Sequence, residues 1–117
     1  MKLVLAYIPC PSASEAERIG KQLVEQRLCA CANWSSMRSC YRWEGAVKTE
    51  NEWLLLAKTS PDKKDALRAA VEKTHPYAVP CVLFLDGDVN EVYGEWVQGE
   101  VMGGAVWSTR SEAKRRS

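Results

Sequence analysis

At 117 residues, with 46% hydrophobic and 26% charged side chains, the sequence has the make-up of one ordinary globular domain and is too short for two cores. Sixteen basic against 15 acidic residues leave a net charge of +1, which argues against nucleic acid or an anionic membrane as a partner. The apolar run over residues 3–8 is too short for a signal-peptide core and no later run reaches membrane-spanning length, so the reading is a cytoplasmic protein with no membrane partner.

A first strand is predicted over residues 2–8, ended by Pro9-Cys-Pro11, where two prolines remove ladder donors. Ser12 or Ser14 then caps a helix whose apolar positions Ala16, Ile19, Leu23, Val24 and Leu28 follow helical spacing, with Glu15, Arg18, Lys21, Gln22 and Glu25 on the outer face. Two long apolar-rich runs follow over residues 28–59 and meet at a polar turn around Glu44, Gly45 and Ala46, which reads as a β-hairpin. In the first run Met37, Ser39, Tyr41 and Trp43 alternate with Arg38, Cys40 and Arg42. The second run, over residues 52–59, is almost continuously apolar and suits a strand covered on both faces.

At ~3.3 Å per residue, a first arm of about fourteen residues reaches roughly 45 Å, more than twice a usual strand. A domain this small cannot cover it, and an open edge carrying Trp34, Tyr41 and Trp43 invites another chain. The length therefore points to a homo-oligomer built through the hairpin, the alternative being a bulge near Ser35-Ser36 that folds the strand back onto its own subunit.

Ser60-Pro-Asp62 supplies a cap, a proline at the first helical position and an acid near the positive helix end. The second amphipathic helix has the stripe Ala66, Leu67, Ala70 and Val71, and His75-Pro76 ends it. A last strand is predicted over residues 81–85, followed by a turn at Asp86-Gly-Asp-Val-Asn90 and a short helix carrying Val92, Tyr93, Trp96 and Val97. The order strand, helix, strand, strand, helix, strand gives an α+β, ferredoxin-like βαββαβ sandwich with both helices on one face of a four-stranded sheet. The domain is set at residues 1–100 and a C-terminal tail at 101–117, in a remainder that from Gly99 onward carries Gly103-Gly104, Trp107 and Lys114-Arg-Arg116.

The blocks Gln22-Leu-Val-Glu-Gln-Arg-Leu-Cys-Ala-Cys-Ala32, Tyr41-Arg-Trp-Glu-Gly45, Glu52 with Lys58-Thr59, His75-Pro-Tyr-Ala-Val-Pro80, and Tyr93 with Trp96 together resemble the CutA divalent-cation-tolerance family over roughly residues 4–97. The resemblance implies a homotrimer whose long hairpins pair between subunits. It also implies a part in tolerance of copper (Cu2+) and other divalent cations, as metal ligands or through a response to them. The assembly resembles PII-type signalling trimers, which gives a second reading: a scaffold that binds a small anionic ligand or a partner protein at the subunit interface. The ligands suggested for copper-binding bacterial members correspond to Ile8, Thr74 and His75, so one of the three is kept. Where the family usually has glutamates within and just after its His-Pro-Tyr motif, this chain has Ala78 and Cys81.

His75, the one histidine, is a candidate metal ligand, or else closes the helix by bonding its last carbonyls. Tyr41, Trp43, Tyr77, Tyr93 and Trp96 with Glu52 and Lys58 are candidates to line an inter-subunit pocket, or else pack as ordinary aromatics. The cysteines Cys10, Cys29, Cys31, Cys40 and Cys81 read as free buried thiols, though Cys29 and Cys31, on one face of a strand, could offer two thiolates to a soft metal. Asp86-Gly-Asp-Val-Asn90 lacks the glycine and the bidentate glutamate of a calcium loop, and no phosphate loop or nucleophile elbow is present. The expectation is a protein that is not an enzyme.

Overall fold

The computed structural model describes residues 1–102, so the predicted Gly103-Gly104, Trp107 and basic terminus of the tail lie outside the described residues. Alternation is the first thing the chain obeys. In β1 (Lys2–Cys10) the side chains of Val4, Ala6, Ile8 and Cys10 are wholly buried and those between them are not. Helix α1 (Ala13–Glu25) begins where Ser12 accepts a hydrogen bond from the backbone N–H of Glu15, and it buries Ala16, Ile19 and Leu23. Val24 faces out, because it lies beside Leu23 on the turn and not below it.

The hairpin consists of β2 (Cys31–Trp43) and β3 (Ala46–Thr59), joined by Glu44 and Gly45 at φ +50° and +82°. Two successive positive φ values make the turn that matches strand twist, so the hairpin closes with two residues. Its register is unbroken from Cys31 opposite Lys58 to Trp43 opposite Ala46, and the bulge considered at Ser35-Ser36 is absent. The sequence placed the second strand only at residues 52–59, whereas β3 starts six residues earlier. Residues 46–51 are all exposed and bury nothing, so they carry no apolar pattern to read; the ladder with β2 alone makes them a strand.

A 3-10 turn at Pro61–Lys63 leads into α2 (Lys64–Thr74), then β4 (Leu83–Asp88) and α3 (Glu91–Val101). Ser60 bonds the Asp62 carboxylate and not a helix N–H, so it does not cap as expected. In α2 Leu67 and Val71 are buried and Ala70 partly so, while Ala66 is exposed. The last strand lies two to three residues later than predicted, and Asp86-Gly87-Asp88 is strand, not turn. Lys2 is opposite Asp88 in the register and its Nζ lies 2.8 Å from the carboxylate, holding Asp88 below and Lys2 above their ordinary pKa values. Helix α3 includes Gly99 and Val101, both buried, so the chain after residue 98 opens as helix and not as tail.

The sheet order is β2-β3-β1-β4 with every neighbour antiparallel, so each strand–helix–strand passage steps over one strand. This is the ferredoxin-like arrangement. Ile8, Leu55, Ala57, Ile19, Leu23, Leu67 and Val71 fuse into one core between the sheet and the α1–α2 layer. Strand β1 also runs two residues past its predicted end, through Pro9 opposite Leu54 and Cys10 opposite Trp53. The Pro9 carbonyl points to His75, away from β3, so its missing N–H falls on the edge β4 has already left and costs no ladder bond.

The cysteines divide by burial. Cys10 and Cys29 are buried, and burial pushes their thiols up to about 11 and about 12. Cys31 is half-buried, and Cys40 and Cys81 are exposed, which corrects the expectation that all five would be buried. Cys29 precedes β2 and enters the core, while Cys31 is opposite Lys58 in the strand, so the two do not share one strand face.

Two outcomes follow. A thiol titration of the folded chain at pH 8 should modify Cys40 and Cys81 quickly and leave Cys10 and Cys29 unmodified until denaturant is added; equal rates for all five would contradict the placement. Leu55→Ala, at the centre of the core, should cost about 2–5 kcal/mol in denaturant unfolding.

Candidate functional site

Side-chain alternation sends Met37, Ser39, Tyr41 and Trp43 of β2 and Glu52 of β3 to the sheet face away from α1 and α2, together with Tyr7 and Pro9. The segment after α2 closes over this face because His75 pins it at three points. Its backbone N–H bonds the Val71 carbonyl at 2.8 Å and ends the helix. Its Nδ1 accepts from the Tyr77 N–H at 3.1 Å, which puts the ring proton on Nε2, 2.8 Å from the Pro9 carbonyl. The ring therefore ties β1 to residues 75–77, while the helix carbonyl is met by the backbone and not, as expected, by the side chain.

Thus held, Tyr77 donates its phenol proton to Glu52 Oε2 at 2.6 Å. Glu52 is only 8% exposed, so this bond compensates part of the cost of taking a carboxylate out of water. Burial first, then the Glu52 carboxylate, holds the Tyr77 phenol well above its usual pKa, so it stays a donor. Tyr41 donates in the same way to Glu50, which raises its pKa too. Between the hairpin and residues 77–81 lies a cavity of about 530 Å³ walled by Tyr7, Met37, Tyr41, Trp43 and Tyr77, with Glu52 in its lining.

Within one chain the residues expected to line an inter-subunit pocket fall into two groups. Tyr41, Trp43, Glu52 and Tyr77 meet at the cavity. Lys58 does not: it is six residues from Glu52 on the same strand, ~20 Å along it. Its Nζ is 5.4 Å from the Tyr93 ring centroid, and Tyr93 contacts Trp96 at 5.5 Å, forming a second aromatic cluster under α3. Burial, then the nearby Cys31 thiol, pushes the Tyr93 phenol up to about 12. Trp34, opposite Leu55 in the register, lies on the core side of the sheet beside Gly20. Tyr7, Pro9 and Met37 line the cavity without having been expected there; the alternation of β2 held a signal for Met37, but placing Tyr7 and Pro9 needs the β1–β3 register.

The residues do not fit a metal ion within one chain. Among the described residues no group of three or more His, Cys, Asp or Glu side chains converges. Ile8 is buried hydrocarbon, Thr74 Oγ1 donates to the Ala70 carbonyl at 2.9 Å, and both nitrogens of His75 are engaged. Among the described residues no helix is long and apolar enough to cross a membrane.

Comparison with known proteins gives a consistent answer. The family model described as CutA1 divalent ion tolerance protein matches residues 4–100. The divalent-cation tolerance protein CutA of Pyrococcus horikoshii is 35% identical over 96 residues, covering 81% of this chain and 94% of its own. That of Thermus thermophilus is 40% identical over 96 residues, covering 80% of this chain and 93% of its own. The solved structure of the periplasmic divalent cation tolerance protein CutA from Archaeoglobus fulgidus superposes with a TM-score of 0.82 at 32% identity, over 85% of this chain and 98% of that one. With its fold, its motif blocks and relatives of this identity all in agreement, the chain belongs to the CutA1 divalent ion tolerance protein family.

Proposed function

We propose that the chain works as a non-enzymatic homotrimer in tolerance of divalent cations, with copper the first ion to test. The names of its relatives supply the cation class. The observation that carries the assembly is the bare outer edge of β2, thirteen residues long, beside a sheet face on which Leu83 and Leu85 remain 50% and 48% exposed. Natural proteins rarely leave an edge of that length uncovered. Because the donors within one chain do not make a metal centre, His75 acts here as a clasp, and the response to cations belongs to the assembly or to what it binds.

A cytoplasmic setting fits the free cysteines, two of them exposed, which persist best where thiols stay reduced. The alternative, a scaffold binding a small anionic ligand or a partner protein at the subunit interface, is less favoured within one chain, where the cavity holds the buried carboxylate of Glu52 beside Lys48 and Lys58 stands ~20 Å away along its strand.

Light scattering at micromolar concentration should give three times the 13.1 kDa chain mass. On the same sample, copper titration should give equal binding to wild type and to His75→Ala. A monomeric mass would refute the assembly, and copper affinity lost on His75→Ala would refute the clasp.

A further inference from the structure

We infer that Glu52 of one copy pairs with Lys58 of the next, so that each contact between copies closes a buried ion pair. This pairing rests on the homotrimer proposed above and names a contact that seals it. Alternation puts both side chains on the sheet face away from α1 and α2, Glu52 opposite Met37 and Lys58 opposite Cys31. Glu52 is 8% exposed, is met by the Tyr77 phenol, and belongs to no ion pair among the described residues. Lys58 is half-buried with its Nζ 5.4 Å from the centre of the Tyr93 ring, and it too belongs to none. A copy seated on this face removes the water left on both groups, and a carboxylate or an ammonium covered without its opposite is costly. The covering copy must therefore bring a positive charge to Glu52 and a negative one to Lys58.

A closed ring supplies both at once. Within one chain the two groups lie ~20 Å apart along β3, too far to meet. In a threefold ring every contact is heterologous, one patch of a copy meeting a different patch of the next. Opposite charges set at two ends of one face suit such a contact, and a single pairing satisfies both. The other cation on this side of the hairpin is Lys48, opposite Tyr41 and in the cavity lining. It is exposed and ~13 Å along β3 from Glu52, with Glu50 between them in the strand, and pairing it with Glu52 leaves Lys58 without a carboxylate. Arg38 and Arg42 alternate to the other face, opposite Asn51 and Val47.

The test is a double-mutant cycle on the full chain, with Glu52→Gln, Lys58→Met and the two together, and trimer dissociation followed in urea by light scattering. Each single substitution should weaken the trimer about tenfold or more, and the second should add little once the first is made. Lys48→Met should show no such coupling to Glu52→Gln. The contact is also read without variants, in trimers reassembled from equal parts of 13C-labelled and unlabelled chain, where an isotope-filtered NOE should join Lys58 Hε of one copy to Glu52 Hγ of another. Absence of that NOE, additive losses in the cycle, or coupling of Glu52 to Lys48 in place of Lys58, in a chain of trimeric mass, would overturn the pair and leave the trimer standing. A monomeric wild type would overturn both.

Discussion

The ladder between β2 and β3 is longer than the core beneath it, and most of what distinguishes this chain follows from that mismatch. Near the open ends of the hairpin, Leu55 and Ala57 lie on the α1–α2 layer and are wholly buried. Toward the turn the same two strands continue through residues 46–51, every one of them exposed. The molecule is accordingly 51 Å long and only 27 and 24 Å across. A two-stranded ribbon projecting in this way is marginal in water, so its cost must be recovered by contacts beyond its own core.

The projecting ribbon also makes the cavity. One wall comes from alternate residues of β2, and the other needs a chain segment lifted over the sheet and held there. His75 supplies this with its N–H and both ring nitrogens: the N–H ends α2, Nδ1 takes the Tyr77 N–H and Nε2 donates to Pro9. Pro9 makes that possible, since a proline in β1 leaves a carbonyl, and no donor, on the edge that β4 vacates. Tyr77 is then fixed over Glu52. Within one chain the histidine of the family motif thus positions Tyr77 over Glu52.

The hairpin, both amphipathic helices and the ferredoxin-like order were legible because each rests on a local pattern: alternation, a helical stripe, a proline. Strand limits were less legible because they rest on pairing. Residues 46–51 have no apolar signal, and Asp86 to Asp88 read as a turn until Lys2 is placed opposite them. The candidate site was half legible. Within one chain Tyr41, Trp43, Glu52 and Tyr77 lie together while Lys58, Tyr93 and Trp96 form a separate cluster, and how the two meet between subunits depends on contacts that no pattern in one sequence encodes. Cys29 and Cys31 were misread because the strand begins only at Cys31, so a spacing of two did not mean a shared face.

The most direct measurement is amide hydrogen exchange along β2. Alternate N–H groups of this strand point to β3 and are protected in a single chain, while the others face the outer edge. Pairing between copies through that edge requires the outward amides of residues 35–43 to be protected as well, and to lose that protection on dilution to monomer. Rapid exchange of the outward set at concentrations where the inward set stays protected would mean that the edge is open to water, and that the hairpin is not the surface through which the chain assembles.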